Sequence, residues 1–474
     1  LDTLGRAFFT VAHNKVPQFD NVGRVAGHTE HMLETEVVFD IEGNQRSITD
    51  ARDNTVVRYH YDMLGGVCHQ ENMDRGPRWI FEDVLDKPLK AWKEEDASGA
   101  CTTFSTAYDA LHRPTKESIL FSNGIRITNE TIEYGEDLPN RQEAKRKNLL
   151  GQVYRACDQV GVVTNEAYDF KENLLHQTRW LCEKFALPYI DWSQQVDLAT
   201  ETFTTRTKYD ALNRAIESTT PDGSITRNTY NEANLLNQVD VKVGFDPPNS
   251  DFRTVVQNID YDAKGQRTAI EYGNGTKTTY QYDEKTYRLT NLKTIRTTNN
   301  QVEKLQDLHY FYDPEGNITT IQDDAQDTLY FNNQVVDAVA HYVYDAVYQL
   351  AQATGRELIK GNKSARTAQD LPIVTQQSGH GAVRRYRQRF AYDAAGNIQQ
   401  MRHMANGGSW TRNYTYEAIS NRLVRIERGN ETLPFDHDYH GNMTKIPGVG
   451  SPVWNYDDHI QQIADLYLGW EAQE

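Results

Sequence analysis

Histidines and carboxylates are the side chains of this sequence best suited to chemistry. His28 and His31, in the stretch HTEH, supply two nitrogen ligands, but a zinc site needs three or four and no further ligand follows nearby. We therefore interpret them as a surface or loop pair. The 67 Asp and Glu residues leave open a carboxylate pair of the kind that hydrolyses glycosidic bonds. A nucleophile elbow, a P-loop, an HExxH helix and a dinucleotide fingerprint are absent from the sequence.

The most regularly placed carboxylates each follow a tyrosine. Tyr-Asp occurs ten times where chance would give about two pairs, so the sequence is repetitive. The tyrosines of these pairs are Tyr61, Tyr108, Tyr168, Tyr209, Tyr261, Tyr282, Tyr312, Tyr344, Tyr392 and Tyr456. Because the aspartates recur within a turn pattern, we interpret them as structural residues rather than as acids or bases of a reaction.

The shortest spacing between two pairs, from Tyr261 to Tyr282, reveals the repeating unit. After YDAKGQR come a strand-like run RTAIEY, a turn GNG and a second strand-like run TKTTYQY. This order is typical of β-hairpins. One unit therefore holds two strands and two turns.

The turn after each tyrosine has a definite chemistry. Asp can accept a hydrogen bond from the backbone N–H two residues on, and glycine three residues after Asp supplies the positive φ that closes a bulged hairpin. The glycines at that position are Gly65, Gly265, Gly316 and Gly396. Asn213 is the next best residue there, whereas Glu172 and Tyr348 are expected to be strained.

The stretch HYFYDPEGNITTIQDD, residues 309–324, is the cleanest copy of the unit. Here we expect Asp313 to cap the turn, Gly316 to close it and Tyr312 to stack across strands, which we favour over carbohydrate binding by exposed rings. We assign no catalytic, cofactor-binding or metal-binding residue. The residues assigned to structural repeat turns are Tyr61, Asp62, Gly65, Tyr209, Asp210, Tyr261, Asp262, Gly265, Tyr312, Asp313, Gly316, Tyr392, Asp393 and Gly396.

Between the turns, hydrophobicity alternates with the period of a strand. In RRYRQRFAYD, Arg385, Arg387 and Arg389 fall on one face, which we interpret as solvated. Helical signals are sparse, as in NRQEAKRKNLL near residue 140, and the segment 360–381 reads as a long loop insertion. The sequence thus predicts an all-β fold, a spiral of antiparallel hairpins, over one repeat region of residues 1–474.

The composition of the chain limits which kinds of partner it can have. The net charge of −17 argues against nucleic acid or an anionic membrane as the main partner, and no apolar run approaches the ~20 residues that span a bilayer. The four cysteines form no CxxC pair and are interpreted as reduced structural thiols, although two disulfides remain open. No signal peptide is visible, and the opening LDTLGRAFF looks like a repeat cut partway through, so we expect a fragment of a longer protein.

The units YDAAGNI, YDPEGNIT, YDALNR and YDAKGQR resemble the YD repeat, also called the RHS repeat. Longer blocks such as FDIEGNQRSITDARDNTVVRYHYDMLGG and WTRNYTYEAISNRL resemble the repeats of insecticidal Tc toxin complexes, whose B and C subunits together build a shell. The resemblance implies a hollow shell of β-hairpins, without cofactor, that encloses a toxic C-terminal polypeptide until release. It also implies other toxin-complex subunits as partners and a secreted or cell-surface location.

Departures from that family limit the inference. The self-cleaving aspartate motif DPxGxxDPxG is absent, so self-proteolysis is assigned to no residue of this chain. Two other functions stay open at this stage. One is a cell-surface adhesion or carbohydrate-binding module, since teneurin-like proteins use similar repeats, and the other is an enzyme that acts on polysaccharide through a carboxylate pair.

Overall fold

A computed structural model describes residues 1–184, 186–247, 250–331, 334–359, 383–464 and 466–468. The predicted loop insertion at 360–381 lies outside the described residues. Strands account for most of the described residues, which confirms the predicted all-β class.

The first ten strands carry the regular repeats at the start of the chain. They are β1 Phe9–Phe19, β2 Val25–Phe39, β3 Gln45–Thr49, β4 Thr55–Tyr61, β5 Val67–Asn72, β6 Arg75–Glu82, β7 Pro88–Glu94, β8 Cys101–Tyr108, β9 Pro114–Leu120 and β10 Arg126–Tyr134. A single 3-10 turn, Gly135–Asp137, and one short helix, α1 Arg141–Arg146, follow.

The middle strands continue the pattern without further helices among the described residues. They are β11 Val153–Cys157, β12 Gly161–Tyr168, β13 Leu174–Cys182, β14 Leu198–Tyr209, β15 Ala215–Thr219, β16 Ile225–Tyr230, β17 Leu236–Lys242, β18 Arg253–Tyr261, β19 Arg267–Tyr272, β20 Thr276–Tyr282, β21 Leu289–Thr298, β22 Gln301–Tyr312 and β23 Ile318–Asp323.

Shorter strands become common toward the end of the chain. They are β24 Leu329–Phe331, β25 Gln334–Val336, β26 Val339–Tyr344, β27 Leu350–Leu358, β28 Val383–Tyr392, β29 Ile398–Ala405, β30 Trp410–Tyr416, β31 Leu423–Arg428, β32 Glu431–Pro434, β33 Asp436–His437, β34 Met443–Lys445, β35 Val453–Trp454, β36 Ile460–Ile463 and β37 Leu466–Tyr467.

Thirty of these strands form one sheet with the simplest topology. From β1 to β22, each strand pairs antiparallel with the next strand in the chain. β23 pairs with β26, and from β26 to β32 each strand again pairs with the next one. Three small sheets, β24–β25, β33–β34 and β35–β37, stand apart from it. The chain is therefore a continuous meander of hairpins, as the repeat predicts.

A bulge recurs where the meander turns. The register shifts between Phe311 and Tyr312, so that Tyr312 faces Ile318. The same shift occurs at Tyr61, Tyr261 and Tyr392. Because a bulge bends its strand and increases the local twist, a bulge at each repeat makes the sheet curl progressively.

The meander has little interior of its own. The chain exposes 29331 Å² of surface, whereas a compact monomer of 54.4 kDa exposes about 18,000 Å². Fully buried apolar side chains concentrate around β9, β10 and α1, at Ile119, Ile127, Ala144 and Leu149. The excess exposure shows that the sheet is a thin curved wall and not a compact globule.

Helix α1 is the clearest departure from strand structure. It lies in NRQEAKRKNLL, and Asn140 caps it by accepting a hydrogen bond from the Glu143 N–H at 3.1 Å. Its six residues are too few to read as a helical period in sequence. Across the described residues, no helix has both the length and the apolar character needed to cross a bilayer.

Candidate functional site: the seam of the spiral

The repeat turns share one hydrogen-bonding scheme, seen most clearly at Asp62. Its Oδ1 accepts from the backbone N–H of Leu64 at 2.8 Å and of Gly66 at 2.9 Å, while its own N–H donates to the Gly66 carbonyl at 2.9 Å. Asp210, Asp262 and Asp393 accept in the same way from the residues two and four positions on. Each of these carboxylates is thus occupied by its own turn.

Asp313 uses a variant of this scheme. Its Oδ1 accepts from the N–H of Gly316 at 2.8 Å and of Asn317 at 2.9 Å. The closing residues have positive φ: 87° at Gly65, 81° at Gly265, 112° at Gly316 and 92° at Gly396. Asn213, Glu172 and Tyr348 take the same left-handed conformation at 63°, 68° and 67°. The strain expected at Glu172 and Tyr348 is therefore present in the backbone.

In most repeats the tyrosine reaches back to the previous turn. The hydroxyl of Tyr312 donates to the Leu289 carbonyl at 2.7 Å. Tyr61, Tyr261 and Tyr392 donate in the same way to the carbonyls at the starts of the preceding strands, whereas Tyr209 makes no such bond among the described residues. The Arg288 guanidinium lies 5.8 Å from the centre of the Tyr312 ring, and the expected cross-strand stacking of this ring stays a prediction. The tyrosine acts as a latch because its hydroxyl can satisfy a carbonyl that the bulge leaves unpaired.

The last Tyr-Asp pair is out of phase with the others. Asn455 caps its turn by accepting from the N–H groups of Asp457 and His459, both at 2.9 Å. Trp454 takes the place of the latch tyrosine and donates from Nε1 to the Met443 carbonyl at 2.8 Å. Tyr456 is therefore free to point away from its own turn, which the count of Tyr-Asp pairs could not reveal.

The two ends of the meander meet. Residues 14–187 contact residues 345–461 through interactions in which at least one partner is a side chain, and we call this set of contacts the seam. Over residues 14–129 the seam joins residues between 327 and 380 positions apart. Among the described residues the seam contains no strand pairing, since apart from β23 with β26 the strands of the large sheet pair with their neighbours in the chain. The seam is thus a side-chain contact between successive turns of a spiral.

Arg52 is the centre of one seam contact. Its guanidinium donates to Asn421 Oδ1 at 2.8 Å and lies 3.4 Å from Asp393 Oδ2. It also forms an ion pair with Asp50 Oδ2 at 2.8 Å. Nearby, Asp74 accepts from the Asn421 N–H at 2.7 Å, and its carbonyl accepts from Arg422 at 2.8 Å. These contacts fasten two turns of the first repeats to the turn that follows β30.

The arginines of β28 also serve the seam. Arg387 donates to the Val22 carbonyl, and Arg389 donates to the Asp20 carbonyl at 2.9 Å and lies over the Phe19 ring. Arg385 forms an ion pair with Asp337 at 2.5 Å. The expected solvated face is wrong for Arg387 and Arg389, because they bind the turn between β1 and β2.

Asp458 is the centre of another seam contact. It accepts from Arg78 at 3.0 Å, Lys93 at 3.3 Å, His440 Nδ1 at 2.8 Å and Asn442 at 3.0 Å. Although burial opposes ionisation, the bond from His440 and the charge of Lys93 hold the pKa of Asp458 well below its usual range. Burial lowers the pKa of Lys93, against the attraction of Asp458.

A group of carboxylates lies beside this contact. Tyr456 donates its hydroxyl to Asn129, whose amide donates to Glu117 at 2.5 Å. Burial and the neighbouring Glu117 raise the pKa of Glu130 to about 7 and of Asp457 to about 6. Raised carboxyl pKa values are also a property of catalytic acids. Here Glu117 is already engaged by Asn129, which Tyr456 holds in the seam.

The metal reading of His28 and His31 fails on geometry. Both lie on β2, which pairs with β1 without a register shift between them, so residues three apart point to opposite faces of the sheet. Among the described residues, no group of three or more His, Cys, Asp and Glu side chains could hold a metal ion.

Aromatic rings form two cross-strand ladders. His69 stacks on Trp79 with ring centroids 4.5 Å apart, and Trp79 stacks on Trp92 at 6.3 Å. A second ladder joins Tyr386, His403 and Trp410. Rings that stack on each other cover their faces, and carbohydrate recognition by aromatic side chains needs an open face. The ladders therefore serve the sheet.

Sequence reasoning missed the residues of the seam. Arg52, Asp74, Lys93, His440 and Asp458 carry no spacing signal, because their partners lie hundreds of residues away. The phase of the last repeat is the one available clue, since WNYDDHI places Trp and Asn where Tyr and Asp usually stand.

An antiparallel meander that is latched at each repeat and brought back on itself by a seam is the fold of a YD-repeat shell protein. Comparison with known proteins narrows the class of protein further. The chain is homologous to two Tc toxin subunits of Yersinia entomophaga: YenC1, at 32% identity over 462 residues, and YenC2, at 28% over 453. These alignments cover 90% and 89% of this chain. No family model matches it.

Solved structures agree on the fold. The crystal structure of TcdB2-TccC3 matches with a TM-score of 0.81 at 25% identity, over 98% of this chain and 22% of that one. A Photorhabdus luminescens Tc holotoxin pore matches with a TM-score of 0.83 at 25% identity, over 98% of this chain and 21% of that one. The chain spans less than half the length of the two toxin subunits, 46% of YenC1 and 45% of YenC2.

Proposed function

We propose that this chain is a non-catalytic part of the wall of a Tc-type toxin shell, which encloses a toxic polypeptide until its release. The observation that carries the proposal is the seam, because it brings residues 327 to 380 positions apart into contact and so turns a linear meander around a space. The thinness of the sheet supports the same proposal, since a wall exposes both faces whereas a globule buries one.

Partners and location follow from the relatives. TcdB2-TccC3 and the holotoxin pore are complexes of toxin components, and the two homologues are named toxin subunits. We therefore infer that this chain assembles with other toxin-complex subunits, and that the complex is exported to act outside the cell that makes it.

A protease-protection experiment tests the enclosure. The chain is assembled with its partner subunits and with an unfolded, protease-sensitive polypeptide as cargo, and cleavage of the cargo is followed over time. We expect protection by the wild-type wall and faster cleavage when Arg52→Ala weakens the seam. Arg46→Ala is the matched control, because Arg46 is exposed on β3. Equal cleavage of free and assembled cargo would contradict enclosure.

A further inference from the structure

Both ring nitrogens of His440 face atoms that only accept hydrogen bonds. Nδ1 lies 2.8 Å from Oδ1 of Asp458, and Nε2 lies 2.7 Å from the backbone carbonyl oxygen of Glu94. A neutral imidazole has one N–H and can satisfy one of these acceptors, whereas the imidazolium satisfies both. The contact as built therefore requires a doubly protonated histidine.

His440 holds three elements together through these two bonds. It belongs to the turn between β33 and β34, Glu94 ends β7, and Asp458 belongs to the turn before β36. The charged and titratable groups packed around it come from all of these elements and from β6. They are Asp438 and Tyr439 on its own turn, Asp457 and Asp458 on the last turn, Lys93 and Glu94 on β7, and Arg78 on β6.

The balance of these charges favours the imidazolium. The hydrogen bond to Asp458 raises the pKa of His440 above its ordinary value, against burial and the repulsion of Lys93. The side chain of His440 is only 14% exposed, so solvent replaces little of the lost interaction when the proton leaves.

The neighbouring carboxylates respond to pH in the same direction. Glu130 and Asp457 lie near Glu117, and at low pH each is neutral. As the pH rises each ionises close to the charge of Glu117, where like charges repel. Loss of the His440 proton and gain of carboxylate charge therefore weaken the seam together.

We propose that the contact between residues 436–463 and strands β6–β10 is a proton-dependent clasp, closed while His440 is protonated and loosened as the pH rises. Its role in opening a toxin shell rests on the proposed function, because a clasp on a wall controls access only if the wall encloses something. The clasp itself is a property of this chain and is measured without cargo.

The first test is a histidine NMR titration of the 474-residue chain, with the His440 signal assigned by its loss in His440→Gln. We expect a titration midpoint above the ordinary ~6.5 of histidine. A midpoint at or below that value would overturn the proposal, whatever the outcome of the cargo experiment.

The second test compares thermal unfolding across pH. A group with a raised folded-state pKa stabilises fully below its unfolded pKa and loses that contribution as the pH rises through the folded value. The loss of Tm caused by His440→Gln should therefore be largest at about pH 6, and it should shrink above the pKa that His440 has in the folded chain. His28→Gln, at an exposed position of β2, is the matched control and should show no such trend.

A variant of opposite sign keeps the test decisive if His440→Gln folds poorly. Glu130→Gln should raise the Tm at about pH 8.5, where the carboxylate is charged, and leave it almost unchanged at about pH 4, below the pKa of ~4.3 of an unfolded glutamate. Hydrogen exchange, corrected for its intrinsic pH dependence, should then rise with pH in peptides that span β7 and the last turn more than in those around Asn14 and Asp345. An equal pH-dependent rise of hydrogen exchange at β7 and the last turn and around Asn14 and Asp345 would contradict a local clasp.

Discussion

The side-chain amide of Asn14 donates a 2.9 Å hydrogen bond to Oδ2 of Asp345, a residue 331 positions later in the chain. Asn14 returns the contact by accepting from the Ala346 N–H at 3.1 Å. Asn14 is 4% exposed and Asp345 is 7% exposed, so this polar pair is buried where the first strand meets a late repeat turn. A repeat turn thus has two functions, since it ends a hairpin and fastens the spiral.

Removal of Arg52 should weaken the seam more than removal of any exposed arginine. Arg52→Ala removes one partner each from Asp393 and Asn421, in a contact where the arginine side chain is 16% exposed. We expect a loss of about 2 kcal/mol in the free energy of unfolding, measured by denaturant titration. Arg46→Ala should change it by less than about 0.5 kcal/mol. Equal effects of the two substitutions would show that the Arg52 contact does not stabilise the fold.

The turn glycine at Gly316 should be sensitive to any side chain. Its φ is 112°, and an added Cβ would lie 2.6 Å from the Arg288 guanidinium. Gly316→Val should therefore cost ~1 kcal/mol or more. Gly27→Val is the matched control, because Gly27 lies in β2 with open space around its Cα. A melting temperature unchanged by Gly316→Val would disprove the role given to this turn.

The contribution of the Tyr312 hydroxyl to stability can be tested by removing that oxygen alone. Tyr312→Phe removes the donor to the Leu289 carbonyl and keeps the ring, so we expect a loss of about 1 kcal/mol in the free energy of unfolding. Tyr330→Phe should have almost no effect, since Tyr330 is 79% exposed. Similar stabilities of the two variants would mean that the ring, and not the hydroxyl, holds the repeat.

The cysteines offer a prediction that needs no substitution. All four are free, and Cys157 and Cys182 are each 2% exposed, whereas Cys68 and Cys101 are half-buried. Burial also raises the pKa of Cys182 to about 11, which lowers its thiolate fraction. A thiol reagent should modify Cys68 and Cys101 in the native chain, and Cys157 and Cys182 only after unfolding. Fewer than four reactive thiols in denaturant would reveal a disulfide.

The repeat made much of the fold predictable from sequence. Asp313 and Gly316 act within four residues of each other, so their turn could be derived from local chemistry alone. The order of the sheet follows as well, because each hairpin pairs with its neighbour. The latch of Tyr312 was not predicted, because a tyrosine in a strand suggests ring packing as strongly as a hydroxyl contact.

The seam could not be predicted because it depends on accumulated curvature. Whether Arg52 meets Asn421 is set by the small bend added at each of many intervening bulges, and no local pattern encodes their sum. For the same reason the arginines of β28 were interpreted as solvated, although Arg389 binds the Asp20 carbonyl.

Electron cryomicroscopy of the chain assembled with its partner toxin subunits and cargo tests the central claim most directly. We expect a hollow particle whose wall is a single curved sheet, with Asn14 and Asp345 adjacent across the seam and polypeptide density in the lumen. A particle without a lumen, or a wall in which these two residues are far apart, would contradict the account.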